Sequence, residues 1–171
     1  MKKILDESFF NTNAKILAQN LIGKWLVCKI NNKEITGQIC ETEAYLGVND
    51  SACHSYKGKM TKRNQFMWEK AGTIYVYLCY GLHEMFNIVC SKKNDPQAVL
   101  IRGVVGCVGP GRLTKKFNIS RLDNGQNVIS EDCKIGIFDD GKKYSYIKDK
   151  RVGIDYANKK DINAKLRFIL K

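Results

Sequence analysis

Apolar residues fall at Ala14, Leu17, Ala18, Leu21 and Ile22, the i, i+3, i+4, i+7, i+8 spacing of one buried helix face. Asn11 or Thr12 is the candidate cap of that helix, and Gly23 ends it. The period then shortens to two. Trp25 to Ile30 predicts a strand, Asn31-Asn32 its turn, and Glu34 to Tyr45 a long partner strand. Residues 46–70, rich in Gly, Asn, Lys and Ser, predict an irregular connection, and a connection of that length signals function. Gly72 to Tyr80 and Leu82 to Cys90 are apolar and aromatic, and they meet at Tyr80-Gly81 as a hairpin. Pro96 precedes a further strand, Ala98 to Arg102. Gly109-Pro110-Gly111 opens a short helix with Leu113 and Phe117 on one face. The tail predicts short strands at 135–138, 144–147, 152–154 and 166–169, with Asp140-Gly141 as a turn. One helix, many strands and then isolated helices predict a single α+β domain over residues 1–171. Its expected form is a largely antiparallel, curved sheet with flanking helices and a protruding β-hairpin.

Charge adds a partner class to this outline. The 171 residues include 29 Lys and Arg against 17 Asp and Glu, a formal net charge of +12. Both parts of the chain share it: residues 1–110 carry 14 basic and 9 acidic side chains, and 111–171 carry 15 and 8. Such an excess favours phosphate-rich partners through counterion release. Charge alone leaves DNA, RNA, an anionic membrane and plain compositional bias open. The seven cysteines include no C-x-x-C and are odd in number, which speaks against a disulfide framework and a zinc knuckle. Most lie in apolar runs, so buried thiols in a reducing compartment are expected. The N-terminus turns acidic at Asp6-Glu7, where a signal peptide would stay apolar, and no run reaches transmembrane length. A cytoplasmic protein without a membrane partner is expected.

Candidate chemistry concentrates in Glu41-Thr42-Glu43-Ala44-Tyr45, with His54 downstream and Tyr75, Tyr77 and Tyr80 beyond it. Two carboxylates beside flat rings in a cationic chain suit a polyanion and acid/base work on a flat, electron-poor group. Strict alternation puts Ile35, Gly37, Ile39, Glu41, Glu43 and Tyr45 on one face, so the carboxylates continue an apolar face. They sit either at a solvated strand end or in a cleft where burial raises a carboxyl toward a useful base. Tyr75 and Tyr77 fit a core as well as a site. Tyr80, beside Gly81 at a turn, gains little as a core ring and can wedge into a base stack. His54 and His83 lack the spacing of a metal pair, and the H-x-E with P-C-x-x-C pattern of deaminases is absent. The helix start at Gly109, with Arg112 beside it, can seat a phosphate.

At this point the chain resembles the alkyladenine (3-methyladenine) DNA glycosylases of base-excision repair. The matching segments are AQNLIGKWLV (18–27), ETEAYLG (41–47), DSACH (50–54), TKRNQFM (61–67), GTIYVYLCYGL (72–82), Asn87-Ile-Val, AVLIR (98–102), GPGRL (109–113), Arg151-Val-Gly and Leu166-Arg-Phe, in family order over nearly the whole chain. The resemblance implies a monomeric enzyme that binds the minor groove of double-stranded DNA, flips a damaged purine into a pocket and hydrolyses its N-glycosidic bond. It implies no cofactor and no metal. By this likeness Glu43 is the general base for the attacking water, which Arg102 and the Val152 carbonyl help to hold. Tyr45, His54 and Tyr77 line the pocket and sandwich the base, and Asn87 crowds the 2-amino group of guanine. Tyr80 fills the gap left in the helix, with Leu82 next to it, and Arg63 and Arg112 are the expected DNA-backbone contacts. One departure stands out: only Gly103 to Val108 separates Arg102 from Gly109-Pro110-Gly111, where relatives carry a longer acidic connection and helix.

Two other readings use the same scaffold. A non-catalytic nucleic-acid-binding module would keep Tyr80 and the basic surface without needing Glu43. A bifunctional glycosylase/lyase would attack with an amine, for which the chain has many lysines.

Overall fold

In the computed structural model, residues 1–31 and 33–171 are described. The turn expected at Asn31-Asn32 falls partly outside them. Asn31 is left-handed, with φ +47°, while Asn32 lies outside the described residues.

The amphipathic stretch forms α2 (Ala14–Leu21) after a single turn of helix, α1 (Glu7–Phe10). Its cap is Asn13 rather than Asn11 or Thr12, because the Asn13 side chain accepts the Ile16 N–H at 3.0 Å. Ala14, Leu17, Ala18 and Leu21 are all buried, and each leucine contributes about 2 kcal/mol by leaving water. Gly23 ends the helix at φ +83°, and a Cβ there would lie 2.1 Å from the Tyr144 ring, so only glycine fits.

Among the described residues, ten strands follow the alternating segments: β1 (Lys2–Lys3), β2 (Trp25–Ile30), β3 (Lys33–Tyr45), β4 (Ile74–Cys79), β5 (His83–Cys90), β6 (Gln97–Val104), β7 (Cys107–Val108), β8 (Ile135–Asp139), β9 (Tyr146–Asp149) and β10 (Arg167–Leu170). Two more helices, α3 (Pro110–Phe117) and α4 (Lys159–Asn163), complete an α+β architecture. The strand order is β1-β8-β2-β3-β6-β5-β4, and every ladder is antiparallel. The thirteen-residue β3 is the hub. Along one edge it pairs first with β2 and then with β10; its other edge pairs with β6 from Ile39 onward.

The register of β3 against β6 shifts between Ile39 and Thr42. This bulge corrects the strict alternation expected there. Ile39 enters the main core, as does Ala44, while Glu41 and Glu43 both reach Arg102 on the opposite side. Beyond the bulge the faces separate cleanly. Val99 and Ile101 of β6, Phe86 and Ile88 of β5, and Ile74 and Val76 of β4 join the core under α2 and α3, whereas Ala98, Asn87, Val89, Tyr75 and Tyr77 face the other way. Connection 46–70 folds over that second face in short 3₁₀ turns and seals its rim with Cys53 and Met67.

The β4–β5 hairpin turns through Tyr80 (φ +50°) and Gly81 (φ +70°), closed by the Leu82 N–H on the Cys79 carbonyl at 3.1 Å. Its tip is open to solvent: Tyr80 is 90% and Leu82 78% exposed. The short connection after Arg102 is a second, tight hairpin, β6–β7, which delivers the chain directly to Pro110 at the start of α3. No strand forms at 152–154, contrary to the pattern. Gly153 at φ +73° breaks the extended chain, and the Val152 N–H is spent on a side chain rather than on a neighbouring strand. The Asp140-Gly141 bend carries the chain from β8 toward β9, two strands that do not pair. All seven cysteines are free, with Cys28, Cys53, Cys90 and Cys133 buried. Burial pushes the Cys28 thiol up to about 11 and raises those of Cys40, Cys53, Cys90 and Cys133.

Candidate active site

Glu43 has 0% exposure, yet its carboxylate is well supplied with donors. Oε1 accepts the Val152 N–H at 2.8 Å and lies 3.4 Å from Arg102 Nη1. Oε2 accepts the Tyr45 hydroxyl at 2.9 Å. A carboxylate has about four acceptor positions, so these contacts leave one, on Oε2. Burial raises the Glu43 carboxyl above the usual carboxylate range, against the pull of Arg102, the Val152 N–H, the Tyr45 hydroxyl and Arg151. A buried carboxyl raised above its ordinary range yet still paired has the properties of a base.

Glu41 plays a different part. Its Oε1 accepts from Arg102 Nε at 3.2 Å and from Arg167 Nη1 at 2.8 Å, so the carboxylate is consumed in fixing two guanidiniums. Arg102 bridges Glu41 and Glu43. Across the site, Arg151 stacks 4.8 Å above the Tyr45 ring and forms a bidentate pair with Asp50, at 2.5 and 2.9 Å. Burial beside the Glu43 carboxylate pushes the Tyr45 phenol well above its usual value of 10, so it stays a donor.

In front of this cluster lies a cleft of about 540 Å³ lined by Tyr45, His54, Arg63, Tyr77, Asn87, Arg102 and Val152, with Met67, Tyr75, Leu100 and Tyr156 completing the walls. Glu43 itself is behind the lining, and the three residues that touch its carboxylate, Tyr45, Arg102 and Val152, all belong to that lining. The His54 Nδ1 lies 2.9 Å from the Tyr75 hydroxyl, and its ring packs edge-on against Tyr77, centroids 4.5 Å apart. Arg63 covers the Tyr77 ring at 5.0 Å. Asn87 is fixed through its Nδ2, which donates to the carbonyls of Tyr75 and Met85 at 3.1 and 3.0 Å.

Burial, reinforced by the Arg63 charge, lowers the His54 imidazole to about 4. The ring is neutral at pH 7. Because folding disfavours its protonation, its share of stability is complete above about pH 6.5 and is lost as the pH falls toward 4, an effect on the order of 3 kcal/mol. Thermal melts of the wild type are therefore expected to drop through this window, and those of His54→Asn to drop less. Superimposable profiles would assign the fall to other groups.

The expected site residues thus converge, except two. The hairpin tip brings Tyr80 to the cleft mouth and leaves Leu82 beside it in solvent, while Arg112 stands exposed on α3 outside the cleft lining. Val152 meets Glu43 through its N–H. Sequence reasoning missed Asp50 and Arg151 as partners, although both stand in the family-like segments, and it gave Arg167 no role. Among the described residues, no group of three His, Cys, Asp or Glu side chains is placed to hold a metal ion, and no helix is long and apolar enough to cross a membrane.

Comparison with known proteins finds relatives over nearly the whole chain. The family described as Methylpurine-DNA glycosylase (MPG) matches residues 8–106 and 104–171. A protein of Borrelia garinii subsp. bavariensis named "Putative 3-methyladenine DNA glycosylase" is 42% identical over 178 residues, covering 98% of this chain and 96% of its own. Proteins of the same name from Borreliella afzelii (44% identical, 98% of this chain and 96% of its own) and Natranaerobius thermophilus (38%, 90% and 88%) are similar to it as well. The chain belongs to the methylpurine-DNA glycosylase family, which makes it a DNA glycosylase, a hydrolase acting on N-glycosyl bonds.

Proposed function

We propose that the protein is a monofunctional glycosylase that flips alkylated or otherwise damaged purines out of duplex DNA and hydrolyses the N-glycosidic bond with a water activated by Glu43. The observation that carries this reading is the buried Glu43 carboxylate, held by three cleft-lining residues with one acceptor position left on Oε2. In the reaction the water oxygen bonds to C1′ of the sugar as the C1′–N bond breaks. The bonding pair leaves with the purine, and the water's proton passes to Oε2 of Glu43. Arg102 and the Val152 carbonyl help to hold that water, and the same carboxylate faces the positive charge that develops on the sugar. A 3- or 7-alkylated purine is already cationic, so it departs neutral and needs little further help.

Specificity follows from the cleft walls. Tyr45 and Tyr77 offer electron-rich rings to a cationic base. His54, neutral at pH 7, can accept or donate without repelling it. Asn87, pinned by two backbone carbonyls, is rigid enough to crowd a guanine 2-amino group. Arg63, at the cleft mouth, and Arg112, on α3, are assigned to DNA phosphates, consistent with the net charge of +12. The protein acts as a monomer on the minor groove, in the cytoplasm, and at the nucleoid if its source is bacterial.

A panel of duplexes, each with one 3-methyladenine, 7-methylguanine, hypoxanthine or ethenoadenine, tests the proposal. Alkali-labile sites are expected on at least one lesion duplex and on no undamaged control, with no adduct trapped by borohydride. Intact DNA throughout would refute glycosylase action on these lesions; a trapped adduct would replace the water with an amine.

A further inference from the structure

The Asp50–Arg151 pair has no part in the mechanism above, yet several of its connections lead to Glu43, alongside one from Arg151 Nη2 to the Asp161 carbonyl at 3.4 Å. Both side chains are buried, and the guanidinium grips the carboxylate with two parallel bonds. Arg151 Nη1 also donates to the Ala44 carbonyl at 3.0 Å, between Glu43 and Tyr45, and its plane stacks on the Tyr45 ring. Asp50 accepts the N–H groups of Leu46 and Ala52 at 3.0 and 3.1 Å, which ties down the start of the connection that follows β3. Arg151 directly precedes Val152, whose N–H ends on Glu43.

We infer that Asp50 and Arg151 are positioning residues for Glu43, acting by fixing the Tyr45 hydroxyl and the Val152 N–H that hold its carboxylate. This rests on the reading of Glu43 as the base. The third contact, Arg102, has its own anchor in Glu41, so it is braced separately from the other two. Buried ion pairs gain little stability over apolar replacements of similar size, whereas a bidentate fork defines an angle. The arrangement is therefore better matched to orienting a carboxylate than to holding the fold. The charged and titratable groups that face Glu43 are Glu41 and Tyr45 on β3, Tyr77 on β4, Arg102 on β6, Arg167 on β10, and Arg151 and Tyr156 on the loop after β9, with Asp149 behind Arg167.

The experiment removes both charges together, as Asp50→Asn with Arg151→Met, so that no buried charge stands alone. Looser donors hold the ionised carboxylate less well, and the loss of Arg151 acts in the same direction. Single-turnover excision at saturating enzyme is expected to fall about tenfold at pH 7 and recover at higher pH. The acid limb of the pH profile is expected to move up by about one unit. A structural role alone would lower the melting temperature and leave the acid limb in place; that result overturns the inference. Arg151→Lys separates positioning from the lost charge, and decides alone should the double variant not fold, since it keeps the charge and loses the fork. The same upward movement of its acid limb supports positioning, and an unmoved limb refutes it. Wild-type excision by Glu43→Gln would instead refute the base reading. Loss in Glu43→Gln with unmoved limbs in the pair variants would refute only the positioning role.

Discussion

Glu43→Gln is expected to lower excision of an alkylated purine at least about 100-fold while lesion binding stays close to wild type, because a positioned base typically contributes that much. The amide is nearly isosteric and can still accept the Val152 N–H, so the cleft keeps its shape. What it cannot do is take a proton on the atom that faces Tyr45. Glu41→Gln should cost less, since Glu41 braces Arg102 and Arg167 and reaches the reaction only through them. A larger loss in Glu41→Gln than in Glu43→Gln would reverse the two roles. Stability gives an independent check. The folded state raises the Glu43 carboxyl, so folding favours its neutral form; the associated stability is fully present below the ordinary carboxylate range and is lost as pH rises through the folded value. Glu43→Gln escapes that loss. Its melting temperature is expected to match or exceed the wild type at pH 7, with the two converging in acid.

Removing the ring at Tyr80 is expected to weaken the flipped complex by about 1–3 kcal/mol, the scale of one lost base–aromatic stack. The ring contributes nothing visible to the core, being 90% exposed at a hairpin tip. Its backbone is left-handed, at φ +50°, a conformation that costs a non-glycine residue about 1–2 kcal/mol. Tyr80→Gly therefore separates the alternatives better than alanine does. It removes the ring expected to act as the wedge and relieves the strain, so thermal stability should rise while single-turnover excision falls. Retained strain of this kind persists at positions selected for something other than stability. Excision unchanged in Tyr80→Gly would shift the wedge to Leu82, two residues on and 78% exposed.

Much of this architecture is legible in the chain because local rules decide it. The amphipathic α2, the β2 strand and the β4–β5 hairpin follow from spacing and from Tyr80-Gly81, and their observed limits differ from expectation by a residue or two. The gathering of Tyr45, His54, Tyr77, Asn87, Arg102 and Val152 around one cleft was legible only through family likeness, since no periodicity joins β3 to residue 152. Three features were not legible. The bulge at Ile39–Thr42 depends on how β6 pairs, which sequence alternation does not report. Asp50 and Arg151 stand 101 positions apart, and each reads locally as an ordinary surface charge. Residues 152–154 carry a strand pattern, Val-Gly-Ile, that tertiary hydrogen bonding overrides.

The lesions such an enzyme removes arise from electrophiles that transfer alkyl groups, and the same reagents attack sulfur. A thiol is dangerous to its owner only as a thiolate. By burying Cys28, Cys53, Cys90 and Cys133 and holding them, with Cys40, in the protonated state, the fold keeps those sulfurs poor nucleophiles toward such agents. A repair protein rich in cysteine can thus remain in service during the exposure that calls for it.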